Sequence, residues 1–184
     1  MLFRSRLRDI PIITFVNKMD REARDPFSLI DEISDQLQLH VTPAMWPAGS
    51  GQNFRGAMHF ASNRFLTFAK DRESTTIDPS RLAEVLDPAE LRHMQDEMEL
   101  ARGGYPAFDL TTFREGHLTP VYFGSALKHF GVKELIEGLG AAAPGPRAQP
   151  ATQRAIEPAE SKVTGFVFKV QANMDPDRKS TRLN

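Results

Sequence analysis

The feature that constrains this chain most is an apolar run, IPIITFV at residues 10–16, that breaks abruptly into the polar loop Asn17-Lys18-Met19-Asp20. Its β-branched residues and lack of polar alternation predict a strand buried on both faces of a parallel sheet. Asp25-Pro26 follows, an N-cap with proline at the first helical position. Leu29, Ile30, Ile33 and Leu37 then repeat at helical spacing. Strand, loop and amphipathic helix make half of an α/β unit.

The rest of the chain extends that pattern. Residues 40–75, with two prolines, three glycines and the lone Trp46 in VTPAMWPAGSGQNFRGAMHF, read as short strands and turns. Asp87-Pro88-Ala89-Glu90 is a capping box with an N1 proline. The helix it opens carries Leu91, Met94, Met98 and Ala101 on one face, and Gly103-Gly104 is expected to stop it. LTPVYFGSAL, 118–127, reads as a second buried strand entering a glycine-containing loop. A short helix with Leu135, Ile136 and Leu139 as its apolar face follows. Residues 144–160 read as a proline- and alanine-rich linker. KVTGFVFKVQA then alternates, with Val163, Phe166, Phe168 and Val170 expected to be buried in the first strand of a β-rich second domain.

Composition excludes several functions. Lysine plus arginine number 23 and aspartate plus glutamate 24, giving a net charge of −1 and no overall basic coat for DNA or anionic lipid. There is no cysteine, hence no thiol catalysis and no thiolate metal site. No apolar run approaches the roughly 20 residues of a membrane span. The five histidines (His40, His59, His93, His117, His129) lack metal-ligand spacing. Glu90, Asp96, Glu97 and Glu99 read as a solvated helix face, the Met94/Met98 stripe as core, and Trp46 as packing beneath a loop.

Two loops can carry chemistry. Ligands of open parallel sheets sit at the carboxyl ends of strands, where Asn17–Asp20 lies. Asp20 offers two carboxylate oxygens to the ring N–H and exocyclic amine of guanine, two donors that adenine does not present together. The Lys18 stem can lie along a flat base while its ammonium stays in water. Asn17 can bond both the base edge and neighbouring loops. An ordinary polar strand-to-helix loop remains the alternative. Gly124-Ser125-Ala126 follows the second strand, where small residues would let the Ala126 amide meet the guanine oxygen; a plain turn is its alternative. No G-x-x-x-x-G-K-[ST] occurs, so these residues would grip the base and not the phosphates.

FVNKMDREARDP, TPAMWPAGSGQNFRGAMH, LTPVYFGSALKHFGV and KVTGFVFKVQANMDP, in that order, resemble the translational GTPase family. The WPAGSGQNFRGAMH and GFVFKVQANMDP blocks resemble its release factor 3 branch in particular; an elongation factor G-type chain, or a non-catalytic guanine- or ribosome-binding module, is the alternative. The resemblance implies an α/β fold, the C-terminal part of a P-loop GTPase domain. Residues 1–143 would be a partial GTP-binding domain with an insert at 41–117, and 161–177 would start a β-barrel. It implies Asn17, Lys18, Met19 and Asp20, then Ser125, Ala126 and Leu127, as the guanine loops for GTP or GDP. Magnesium is implied for the intact parent, with its ligands absent from these residues. Ribosome and stop-codon-reading release factors are the implied partners, in the cytoplasm, with no membrane or DNA. The basic tail RKSTRLN, 178–184, departs from the family and is expected to be a non-native junction.

Overall fold

The computed structural model describes residues 10–69, 74–165 and 167. The chain divides into two compact units, residues 1–144 and 145–184.

The first unit is built on a three-stranded parallel sheet of β1 (Thr14–Val16), β2 (His40–Pro43) and β7 (Leu118–Phe123), in the order β1-β7-β2. Strand β7 is central, and all six of its residues are buried, as a continuous apolar run in a parallel sheet requires. Strand β1 is shorter than its apolar run and only half-buried. It is an edge strand among the described residues, and Ile10 is 45% exposed, because only β7 pairs with it.

Helix α1 (Pro26–Leu37) joins β1 to β2. The Asp25 side chain accepts from the Ser28 N–H at 2.9 Å, and Ile30 is the buried point of its apolar stripe. From β2 the chain passes through Ala44 into a second, antiparallel sheet. Strands β3 (Met45–Ala48), β4 (Gly56–His59), β5 (Arg64–Thr67) and β6 (Thr76–Ile77) lie there in sequential order. Helix α2 (Pro88–Gly104) packs against β3. Asp87 and Glu90 form the full capping box, and Met94, Met98 and Ala101 face the core. Gly103 and Gly104 lie inside this helix. It stops at Tyr105 instead, because the following Pro106 bars helical backbone at the residue before it.

Trp46 is fully buried against Phe27 and Phe123, with ring centroids 4.7 and 6.2 Å away. Its indole N–H donates to Glu97 Oε2 at 3.2 Å. Glu97 is therefore no solvated residue, and its side chain is 16% exposed. Glu90 likewise is engaged, by the cap and by Arg55 at 3.0 Å. Helix α3 (Leu110–Arg114) leads to β7, and α4 (Val132–Ala142) closes the unit. The apolar face expected for α4 is largely open: Ile136 and Leu139 are 61% and 50% exposed, and only Leu135 packs on the core.

The stretch read as a linker carries a two-stranded antiparallel ladder, β8 (Gln149–Pro150) with β9 (Ala155–Ile156). The Arg154 guanidinium bonds the Glu160 carboxylate through both its terminal nitrogens. Residues 161–165 and 167 form no strand. Val163, expected to be buried, is fully exposed, since no strand among the described residues pairs with it. Phe166, Phe168 and Val170, and the tail 178–184, lie outside the described residues.

Candidate functional site

Parallel register decides which loops meet. Val16 pairs with Phe123, so the chain leaves β1 and β7 at the same level and on the same side of the sheet. The Gly124 N–H donates to the Val16 carbonyl at 2.9 Å, and the Met19 N–H donates to the Gly124 carbonyl at 3.0 Å. Residues 17–20 and 124–127, far apart in the chain, are thereby laced together.

Asn17 ties them further. Its Oδ1 accepts from the Lys18 N–H at 2.8 Å and from the Ala126 N–H at 2.9 Å. Both partners are backbone donors, so the orientation of the amide is settled: oxygen inward, and the NH2 group left to donate elsewhere. Lys18 holds φ +71, and its carbonyl accepts the Arg21 N–H at 2.9 Å. That tight turn leaves Asn17 and Lys18 exposed, buries Met19 and half-buries Asp20. Among the described residues the Asp20 carboxylate takes no hydrogen bond or ion pair.

In the second loop Ser125 is 1% exposed, and its Oγ lacks a hydrogen-bond partner among the described residues. A buried hydroxyl without a partner costs free energy, so it marks a place where a polar group fits. Ala126 is exposed, and Leu127 is 76% exposed, an apolar side chain held in the open beside the polar loop. The Ala126 N–H, expected to face a base oxygen, donates to Asn17 Oδ1 in this structure. Gly124 also has a different reason from the expected one. A Cβ there would lie 2.4 Å from the Phe130 carbonyl and 2.7 Å from the Phe15 ring, so close internal packing demands glycine.

Sequence reasoning missed a third loop. Gly51 donates its N–H to the Met19 carbonyl at 3.0 Å. The only sequence signal was the glycine spacing in Gly49-Ser50-Gly51, which does not reveal its partner.

A cavity of about 990 Å³ lies elsewhere, lined by Pro43, His59, Tyr105, Tyr122 and Glu134 among others, and it shares no residue with the loops. Burial holds the His59 imidazole below its usual value there, and burial with the Asp31 and Asp25 carboxylates pushes the Tyr105 phenol up to about 12. The Asp20 carboxylate and Ser125 hydroxyl, unpartnered among the described residues, lie at the loops and not at that cavity. Among the described residues no group of three or more His, Cys, Asp or Glu is placed to hold a metal.

The model of the elongation factor Tu GTP-binding domain matches residues 1–144, ending where the first compact unit ends. The chain belongs to the elongation factor Tu GTP-binding domain family. That family is one of translational GTPases, and guanine nucleotide is the ligand it implies. Among solved structures, a crystal structure of a protein from Thermus thermophilus is similar, with a TM-score of 0.51 and 19% identity. The match covers 75% of this chain and 23% of that one, and it bears on the fold alone. The parallel sheet with its helices is consistent with part of that fold, and a four-stranded antiparallel sheet lies in the chain between the two loops.

Proposed function

We propose that this chain is the base-recognition part of a ribosome-dependent GTPase of the release factor 3 type. The observation that carries the site assignment is the Asn17 clasp, which brings two loops 109 residues apart to one place with unused donors and acceptors around it. Asp20 accepts the guanine ring N–H and exocyclic amine. The Asn17 NH2, freed by the engagement of its oxygen, donates to an acceptor on the base edge. The Lys18 stem covers one face of the base, and Met19 anchors the loop in the core. Ser125 supplies its free hydroxyl, Ala126 holds Asn17 in orientation, and Leu127 offers apolar cover.

The finer identity rests on the blocks WPAGSGQNFRGAMH and GFVFKVQANMDP, which resemble release factor 3 more than elongation factor G. On that reading the whole protein works in the cytoplasm on the ribosome and promotes departure of stop-codon-reading release factors. Phosphate and magnesium contacts come from elsewhere in the GTPase domain, because the 184 residues contain no phosphate-loop motif.

Exchange of Asp20 for asparagine tests the assignment. The amide can donate to the additional carbonyl of xanthine, so Asp20→Asn should lose affinity for GDP and gain it for XDP. An unchanged base preference would count against the site.

A further inference from the structure

We propose that the Gly49–Gly51 loop is a third wall of the base site and that Gly51 is a positioning residue for guanine recognition. This rests on the reading of Asn17–Asp20 as the guanine loop. Met19 stands between Lys18 and Asp20, the two residues assigned to the base. Its N–H is held by the Gly124 carbonyl and its carbonyl by the Gly51 N–H, each at 3.0 Å. Its side chain is 1% exposed. The Met19 carbonyl belongs to the same rigid peptide plane as the Asp20 nitrogen, so the Gly51 bond sets the direction from which the Asp20 carboxylate departs. A recognition group held from outside its own loop has less freedom to lose when a base arrives.

The loop is itself anchored. Gly51 is buried with φ +59, and a Cβ would lie 3.2 Å from the Glu22 nitrogen and 3.4 Å from the Arg21 carbonyl carbon. Gly49, with φ +78, has the Asn53 carbonyl oxygen 2.3 Å from where its Cβ would be. Just beyond the loop, Phe54 packs edge-on against Phe130 with centroids 5.1 Å apart, and Phe68 completes the cluster at 4.9 and 5.6 Å. Phe130 in turn forms a two-bond bridge with Ser125, both bonds at 3.0 Å. The start of the insert is thus joined to both base loops at once. Its backbone geometry bears on guanine discrimination although none of its side chains is assigned to the base.

Two measurements on the full 184-residue chain decide this. Ribose-labelled fluorescent GDP and XDP are titrated into the wild type and Gly51→Ala. The substitution should weaken GDP by about tenfold, or about 1.4 kcal/mol, and narrow the preference for GDP over XDP. A merely structural role would lower both affinities in proportion. Amide hydrogen exchange of the wild type, which needs no variant to fold, should show the Gly51 N–H slowed when GDP is added. A wild type with a clear GDP preference that Gly51→Ala leaves unchanged, or a Gly51 amide indifferent to bound GDP, overturns the positioning role alone. A wild type without preference for GDP over XDP overturns the base-site reading, and the positioning role with it.

Discussion

Replacing Gly124 with alanine puts one methyl group where β7 enters the second loop. The added carbon would sit 2.4 Å from the Phe130 carbonyl oxygen and 2.7 and 3.0 Å from two atoms of the Phe15 ring. The ring can swing; the carbonyl can recede only by moving backbone. That carbonyl accepts the Ser125 N–H, and the Phe130 N–H donates back to Ser125. A shift of about 1 Å therefore strains both bonds of the bridge. Overpacking of a tight site costs about 1–3 kcal/mol and each of the two weakened hydrogen bonds about 1 kcal/mol, so the loss should be about 3–5 kcal/mol. Against a typical stability of about 5–15 kcal/mol that is a large share. Trp46, the only tryptophan and fully buried, reports unfolding by its fluorescence. With an m-value of about 2 kcal/mol/M, the urea midpoint should fall by about 2 M, or the cooperative transition should vanish. Gly103→Ala is the matched contrast. It lies in α2 with nothing within 4 Å of a new Cβ, so it should raise stability by up to about 1 kcal/mol. Two variants of equal effect, or Gly124→Ala within about 0.5 M of wild type, would refute the packing argument.

Other perturbations follow from the same geometry. Trp46→Phe removes the donor to Glu97, a largely buried carboxylate, and should cost about 1–3 kcal/mol in a thermal melt followed by circular dichroism. Adding Glu97→Leu should recover part of that loss, and additive losses would contradict the pairing. The N–H groups of Glu90 and Ala89 hold the Asp87 carboxyl below its usual range. A folded value below the unfolded one means that its stabilisation is complete above the ordinary carboxylate range and is lost as pH falls through the lowered value. Stability should therefore drop as pH falls through and below the ordinary carboxylate range, less steeply in Asp87→Asn, which keeps a capping acceptor without a titrating group. The 184-residue chain should release phosphate from GTP only at the background rate, because it has no phosphate-loop motif. Turnover abolished by Asp20→Asn would contradict this.

Local chemistry made much of the fold legible. Asp25-Pro26 and Asp87-Pro88-Ala89-Glu90 name their helices because a cap needs only residues three apart. β7 was readable because a central parallel strand is mostly apolar and lacks polar alternation. What failed depended on distant partners. Glu97 looked solvated because its donor, Trp46, stands 51 residues away. The run at 10–16 could not show that its strand, among the described residues, is an edge with three paired residues. Gly103-Gly104 looked like a stop, but helical glycine is merely costly, whereas Pro106 restricts the backbone before it. At the site, the residue types of Asn17, Lys18, Asp20, Ser125 and Ala126 suited a base. The use of Asn17 to clasp Ala126, and of Gly51 to hold Met19, came from topology that no spacing rule encodes.

The central claim is that loops 17–20 and 124–127 form one guanine pocket. It is tested most directly by titrating GDP into the isotope-labelled chain and following backbone amide resonances. The largest shifts are expected at Lys18, Asp20, Ser125 and Ala126, with ADP producing none of them. No change is expected around Tyr122 and His59, at the 990 Å³ cavity. Shifts confined to that cavity, or equal responses to ADP and GDP at the loops, would contradict it.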